Sequence, residues 1–560
     1  MRKRIPSIAC ITILTLVAVA IAASVASAPP ATIGGTVRSV SEDGKQITVV
    51  VGTGKAAKEQ TFRLTAATKI MLDAKSAMVG EIAEGTKVTL SYDKATNEVL
   101  AIRATTAKAE PATEKAKEDA SESPTTTAKS GRTGKTTLKS GTASAPRSGS
   151  DSGAATGDWP QWRGPERNAV SMDAGLLTQW PSDGPPLVWT AQGMGSGHAS
   201  IAVAGGRAYV AGGRGGAQQI ACVNVADGQI VWSAPIGRPG DEARSTPTID
   251  GDLLFVLSTS GAQDADIVCL ETASGKERWR KSFRNDFKGR MQSNWGYSES
   301  PLVDGEHLIC TPGGSEATLV AIKKKTGDVV WRSRVPGGDA AGYASAVVAD
   351  VGGVRQYVQL LEKGIVGVAA KDGKFLWRYD KIANGTANIP TPIVRGDLIF
   401  CSTGYNTGAA LLKLSAAGGG VRFEEKYFLA ANQFQNHHGG MVLVGDHVYA
   451  GSGHNNGLPT CIDLKSGKIV WGPQRGPGAE SAAIAYADGH VYFRYQNAVM
   501  ALVEASPKGY KLKGSFKIPN GATPSWSHPV VAGGRLYLRD QDRLLCYDVR
   551  DGSTAAGGAR

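Results

Sequence analysis

IACVNVADGQIVW (220–232), IVCLETASGKERW (267–279), LVAIKKKTGDVVW (319–331), IVGVAAKDGKFLW (365–377) and PTCIDLKSGKIVW (459–471) are five copies of one phrase. An apolar run forms a short strand. Asp-Gly, Ser-Gly or Thr-Gly then supplies a tight turn, because glycine tolerates positive φ. Two or three β-formers follow and end on a tryptophan, which packs a large flat side chain between neighbouring sheets. Aromatic residues recur as Trp189, Trp232, Trp279, Trp331, Trp377, Phe423, Trp471 and Phe516, in steps of 43, 47, 52, 46, 46, 48 and 45 residues. A period of this size marks a repeat architecture.

A second phrase precedes the first in each repeat: VAGGRAYVAG, IDGDLLFVLS, VDGEHLICTP, VGGVRQYVQL, VRGDLIFCST, VGDHVYAGSG, ADGHVYFRYQ and VAGGRLYLRD. Each reads as strand, glycine turn, strand. Four short strands per repeat make one blade of a β-propeller, and eight copies predict eight blades. The last copy, GGRLYLRDQDRLLCYDVRDG, runs out before its tryptophan strand, whereas PPLVWTA around Trp189 has no repeat of its own. The simplest ring takes Trp189 and its neighbours as the outer strand of blade eight. The alternative is seven blades and a stray segment.

The 71 glycines and a charged fraction of 20% suit a turn-rich, all-β chain. At 560 residues it is long for one core. Residues 1–28 read as a signal peptide: MRKR is basic, IACITILTLVAVAIAA is apolar, and SVASA ends on small residues before Pro29. An uncleaved anchor is the alternative, since the run is barely long enough to span. Residues 29–106 carry TVRSVS, KQITVVV, EQTFRLT, TKIMLD, GTKVTLSYD and EVLAIRA, enough strands for a small OB-like β-barrel. Its only aromatics are Phe62 and Tyr92, which is no platform for stacked bases, so nucleic acid is not an expected partner. Residues 107–157 are an Ala, Thr, Ser, Lys, Glu, Gly and Pro linker that cannot bury enough apolar surface to fold. Its basic second half (Lys129, Arg132, Lys135, Lys139, Arg147) is a solvated tether or an attachment to an anionic surface. Residues 158–560 are then the propeller, expected as a monomer with no membrane span once the leader is removed.

Beyond the leader there are six cysteines. Cys222, Cys269, Cys461 and Cys546 share one slot of the third strand, and Cys310 and Cys401 share one of the second. Equivalent slots of neighbouring blades lie ~10 Å apart, beyond the reach of a disulfide. All six read as buried core thiols.

The phrases VNVADGQIVW, LETASGKERW and IDLKSGKIVW resemble the repeat of pyrroloquinoline-quinone (PQQ)-type β-propellers, over about residues 158–550. DWPQWRGPERNAVS, NWGYSESPLV, ANIPTPIV and SWSHPVVAGGRLYLRDQDRLLCYDV resemble an exported, planctomycete-type subgroup. Quinoprotein alcohol dehydrogenases and the scaffold lipoprotein of the outer-membrane assembly machinery share this repeat. The enzymes imply an adjacent cysteine pair beside the quinone and a loop-borne Ca²⁺ cluster. Here no two cysteines are adjacent and the loops are short. The scaffold implies a lipidated cysteine, whereas Cys10 lies within the apolar run without the usual leucine. The resemblance thus implies an exported, non-enzymatic scaffold or binding protein of the periplasm or cell envelope, with an envelope protein or polymer as partner, no cofactor and no catalytic residue. The alternative is a quinoprotein dehydrogenase carrying PQQ and Ca²⁺.

In a propeller, the segment leading into each innermost strand faces one mouth of the central channel. Candidate ligand contacts there are Trp295, Tyr297, Glu299, Tyr343, Asn388, His437, His438, Trp526 and His528, with His198, Asp241, Glu242, Arg244, Asn294, Asn436 and Glu480 beside them. His198 opens blade one and His528 blade eight, so ring closure makes them neighbours. An organic ligand stacked on these aromatics is one reading, and strand-end capping is the other. No His-x-His or HExxH spacing supports a metal, and none is expected. The glycine strings at 212–217 and 416–421 are turns, since neither leads into Gly-Lys-Ser/Thr.

A linker that cannot fold predicts where a protease acts. Limited digestion is expected to cut first within 107–157 and release a small β domain and an intact propeller. Early cuts inside either β region, with the linker spared, would contradict the domain plan.

Overall fold

A computed structural model of the chain describes residues 31–105, except 42–45, 53–56, 66–67, 73–74, 77–81, 83 and 94–95, and residues 157–552, except 240–241 and 525. The leader at 1–28, the linker up to residue 156 and the candidate Asp241 lie outside the described residues. The chain divides into two compact units, Met1–Gly141 and Thr142–Arg560.

The first unit is a closed barrel of five main strands, Ala31–Val40, Gln46–Val51, Lys58–Arg63, Lys87–Asp93 and Glu98–Thr105. The first strand pairs with the second and the fourth, the fifth lies on the fourth, and a parallel contact of Arg63 with Glu98 closes the ring. Lys69–Leu72 and Lys75–Ser76 extend the sheet beyond the fifth strand. Strand alternation turns Ile47, Val49, Phe62, Val88, Leu90, Val99 and Ile102 inward to fill it.

The second unit is an eight-bladed propeller, each blade a four-stranded antiparallel sheet. The innermost strands are Ile201–Ala204, Thr248–Asp250, Leu302–Asp304, Val347–Val351, Ile393–Arg395, Met441–Val444, Ala482–Ala487 and Val530–Ala532. Seven blades are continuous in sequence. The eighth takes its outer strand, Leu187–Gln192, from the other end of the chain. That strand pairs with Arg543–Asp548, with Trp189 opposite Cys546. The seven-blade alternative is thereby excluded. The six cysteines beyond the leader are free and buried in six different blades.

The repeat phrase has a physical basis beyond the turn. Trp189, Trp232, Trp279, Trp331 and Trp471 each donate their indole N–H to a carbonyl of the next blade: Val225, Thr272, Lys324, Ala370 and Ser506, at 2.8 to 3.1 Å. Beneath four of these indoles lies the turn glycine of that next blade. A Cβ on Gly275 would come 2.7 Å from the Trp232 ring, and one on Gly327 2.9 Å from Trp279. The glycine is therefore needed for close approach as well as for its φ of +71° or +78°.

Two expected positions are corrected. The tryptophan slot is the outer-strand residue next to a β-bulge that all eight blades carry. In blade five that residue is Tyr427, not Phe423, and its hydroxyl reaches the carbonyl of Leu464 at 2.7 Å. Phe423 instead packs on Trp377 and Tyr379. In blade seven the slot residue is Gly514, not Phe516. The side chain that fills it is Trp180, from the segment before blade one, edge-on to Tyr492 and Phe516. A Cβ on Gly514 would come 2.6 Å from the Cβ of Trp180.

The same segment enters the ring. Trp159 and Val203 of blade one exchange two backbone hydrogen bonds, and the Pro160 carbonyl accepts from Ile249 N of blade two. Trp162 Nε1 donates to Thr391 Oγ1 ahead of the blade-five strand. Arg163 donates to the Met441 carbonyl of blade six. Arg167 donates to the carbonyls of Ser300 (2.8 Å) and Pro301 (3.0 Å) of blade three. The chain then bonds to Tyr486 of blade seven through Ala169 and Ser171. A segment that meets innermost strands on opposite sides of a ring runs through its centre. Residues 158–171 thus plug the channel.

Trp180 and Trp189 tie this N-terminal arm to blades seven and eight. Substituting either by alanine is expected to cost about 3 kcal/mol, the scale for emptying a large aromatic site. Urea melts check this, and a Trp180→Ala protein that unfolds like its parent would show that the blade-seven slot is filled another way.

Candidate functional site

The lead-in segments of the innermost strands are stitched to one another above the plug. Ser200 N donates to Thr246 Oγ1 (2.9 Å), Thr246 N to Ser300 Oγ (3.0 Å) and Ser300 N to Ser345 Oγ (3.0 Å). Ser200 Oγ closes the sequence by donating to the His528 carbonyl at 2.9 Å. These bonds, from a backbone N–H of one lead-in to a hydroxyl of the next, fix the rim of the mouth.

Of the predicted contacts, the structure brings the histidines and Trp526 together. Trp526 lies between His198 and His438, with ring centroids 4.4 and 4.9 Å away, and donates Nε1 to Gln496 Oε1 at 2.6 Å. His438 stacks on His437 at 4.3 Å, and His437 on His454 at 4.4 Å. Tyr405 completes the belt, 4.4 Å from His454. His437 has Ser481 Oγ 3.0 Å from Nδ1 and Tyr405 OH 3.1 Å from Nε2. His528 sits beneath, with Nε2 3.3 Å from the His438 carbonyl and its ring edge-on to Trp162. His198 Nε2 is 3.3 Å from Glu242 Oε2, which also meets Arg244 at 3.6 Å.

The other predicted contacts divide. Trp295 is 51% exposed beside Tyr343 and is the most open aromatic of the mouth. Tyr343 is buried, with its hydroxyl 2.5 Å from Ser293 Oγ. Tyr297 is not in the mouth at all. It turns into the blade-three core against Phe283 and donates its hydroxyl to the Pro312 carbonyl. Asn388 and Asn436 are fully buried loop caps: Asn388 donates to the carbonyls of Leu361 and Glu362, Asn436 to that of Gly451. Glu299 is buried, and both its oxygens accept from Thr311. Asn294 and Glu480 are exposed at the rim.

Sequence reading missed Tyr405, His454 and four buried arginines. Arg494 and Arg539 occupy the same slot of the second strand in blades seven and eight. Each donates to carbonyls of the next lead-in, Arg494 to Ser527 and Arg539 to Gly195 and Ala199. A cation repeated at one slot of an otherwise apolar strand was the available signal. Tyr405 and His454 belong to loops between the second and third strands, which share the mouth with the lead-ins.

Burial governs the charges. It holds His198, His438 and His528 down to about 3 and His437 to about 2, with neighbouring arginines or imidazoles adding to the effect. The imidazoles are therefore neutral at pH 7. Burial also lifts the Glu299 carboxyl to about 7, against the pull of its Thr311 hydrogen bonds and Arg167. Arg163, Arg167 and Arg494 drop to about 10 and Arg539 to about 9, still protonated at neutral pH. The mouth is thus an aromatic, mostly uncharged surface over a cationic floor.

The sequence family described as outer membrane protein assembly factor BamB matches residues 178–264 and 216–473, together just over half of the chain. No curated protein matches it. Similar solved structures include BamB from Moraxella catarrhalis, at 14% identity and TM-score 0.48 over 65% of this chain and 99% of that one. Quinohemoprotein alcohol dehydrogenase from Comamonas testosteroni has 12% identity and TM-score 0.49, over 73% of this chain and 82% of that one. Quinohemoprotein alcohol dehydrogenase ADHIIG from Pseudomonas putida HK5 has 12% identity and TM-score 0.51, over 71% and 81%. At that identity the last likeness is one of fold.

The depressed imidazoles make stability depend on pH. In the unfolded chain they bind protons below about 6.5, whereas in the fold they stay neutral to about 3. Stability present above pH 6.5 is therefore lost as pH falls. Glu299 acts oppositely, since its folded pKa is raised, and offsets one of the four. The expected loss between pH 6.5 and 5 is at most about 4 kcal/mol per pH unit. Urea midpoints at fixed ionic strength measure it, and a flat profile would mean that these rings titrate normally.

Proposed function

The chain belongs to the family described as outer membrane protein assembly factor BamB, and from that membership we propose that it is an exported, non-enzymatic scaffold of the cell envelope that binds a partner protein or polymer through the mouth face of its propeller. The observation that carries this reading is the plug. Trp162, Arg163 and Arg167 fill the middle of the channel and are bonded to the blades around it. What remains to meet a partner is the rim, with Trp295 open on it.

The quinone and Ca²⁺ implied by the resemblance to the dehydrogenases find little to hold them. Among the described residues no three His, Cys, Asp or Glu side chains stand together as an ion site. Glu299, a predicted carboxylate of the mouth, is buried and satisfied by Thr311. The six cysteines lie in six blades, so none can form an adjacent pair beside a ring. The apolar leader at 1–28 supports export, and the basic linker suits a tether that lets the propeller reach its partner.

Loading tests the choice between scaffold and quinoprotein. After incubation with PQQ and Ca²⁺ and desalting, the full-length protein is expected to retain no quinone absorption band and to reduce no dye with simple alcohols. Saturable, PQQ-dependent dye reduction would overturn the scaffold reading.

A further inference from the structure

Blade three carries an open groove of about 500 Å³, within the size range of small-molecule sites. Three loops build it. The first follows the short helix Phe283–Phe287 and brings Lys288 and Arg290. The second joins the strands His307–Cys310 and Leu319–Lys323 and brings Gly314 and Ser315. The third leaves the outer strand Val329–Ser333 and brings Arg334 and the turn at Gly337 and Gly338. Hydrogen bonds lock the loops together. Gly314 N donates to the Asp339 carbonyl at 2.6 Å, Arg290 N to that of Pro312 at 3.0 Å, and Arg290 Nη2 to that of Gly338 at 3.2 Å. The loops also touch at glycines: a Cβ on Gly338 would come 3.0 Å from Ser315 Cβ, and one on Gly314 2.9 Å from the Lys288 carbonyl oxygen. The shape of the groove is therefore set before any ligand arrives.

Its lining has one sign of charge. Lys288, Arg290 and Arg334 line it and no carboxylate does. Lys363 adds a cation at the edge, with Nζ 2.8 Å from the Gly337 carbonyl. Two carboxylates answer from outside the groove: Glu362 pairs with Arg290 at 2.9 Å and Glu316 with Arg334 at 3.1 Å. Lys288 donates to the Asn285 carbonyl at 3.3 Å and has no carboxylate partner among the described residues. A guanidinium and an ammonium each carry several donors, so Arg334 and Lys288 keep N–H groups for a ligand. Lys288 also sits where a lysine is costly. It ends the helix at φ +55° and ψ +38°, the left-handed cap at which glycine is the commonest residue because a Cβ crowds the backbone there. The chain accepts that crowding at a position that lines the groove with an ammonium.

We propose that this groove binds a ligand carrying two or more phosphate groups, either a free diphosphate or a phosphate polymer, held by Lys288, Arg290 and Arg334. One charge would engage one loop, whereas two phosphates reach cations on different loops. A phosphate also presents its oxygens in several directions, which suits donors that converge from three loops, while a carboxylate presents its two in one plane. Charge-assisted bonds from guanidinium and ammonium groups to phosphate are the strong kind. The groove shares no residue with the aromatic belt of the mouth, and the proposal does not depend on the scaffold reading.

Calorimetric titration of the full-length protein tests it, at neutral pH, without metal ions and with chloride holding the ionic strength constant. The probes are pyrophosphate, a long-chain polyphosphate and citrate. Saturable binding is expected with pyrophosphate, with polyphosphate or with both, and which of them binds tells the two sources apart. Two variants locate the site. Lys288→Gly removes the ammonium and relieves the left-handed cap, so it is expected to melt at or above the parent's Tm while binding more weakly. Arg334→Ser alters an exposed side chain and leaves the fold intact. Together they are expected to weaken binding about tenfold or more, the scale of one or two hydrogen bonds to charged groups. Lys465→Ser, on a turn of blade six, is expected to leave affinity unchanged. No saturable binding of either phosphate probe overturns the proposal, as does binding that the double variant retains or that Lys465→Ser weakens equally. Citrate binding as tight as that of the phosphate probes overturns the assignment to phosphate.

Discussion

At four of the eight junctions between blades, an indole lies on the turn glycine of the next blade. A lone four-stranded sheet has two faces to cover, and the propeller covers them by stacking blades against one another. Where the tryptophan of one outer strand meets the hairpin of the next, it buries a large apolar face and bonds its N–H to a carbonyl. At four of these junctions the hairpin must present glycine, because a Cβ there would come within 3 Å of the ring. The spacing of Trp and Gly in the chain is thus the spacing of the interface, which is why one short phrase determines the ring.

Much of the fold could be read for that reason, and the errors have one cause. The intervals place Phe423 and Phe516 where a tryptophan belongs, but the slot is defined by the bulge beside it, and an interval does not register a bulge. Blade five extends its third and outer strands to Gly408–Ala417 and Gly420–Ala430, which moves the slot to Tyr427. Blade seven leaves its slot to Gly514, and Trp180 arrives from more than three hundred residues away in the chain. No local pattern in LKGSFK announces that. The cysteines and ring closure were legible because they repeat at fixed offsets within blades.

The mouth was half legible. Placing candidates on the lead-ins found His198, His437, His438, Trp526 and His528, since topology alone puts these segments at one end of the channel. Tyr297 was misplaced because two residues in a non-strand segment need not share a direction: Trp295 faces solvent while Tyr297 enters the core. The arginines were invisible as a group. Arg163 and Arg167 come from the plug, Arg494 and Arg539 from second strands, and only the folded ring brings them near one centre. Their common charge also explains the silence of the histidines, which stay neutral partly because protonation would add to it.

The arm that plugs the channel also dictates an order of events in biogenesis. Its strand partner is the last strand of the chain, and Gly193 bonds to Asp542 across 349 residues. The arm leaves the ribosome before any blade and finds its place only after every blade has been made. Contacts of such sequence separation are slow to form, and until they do the ring has two raw edges open to other chains. A polypeptide built this way gains little from folding as it emerges. The ring therefore closes last at one seam, where the first blade's neighbour is the last to appear.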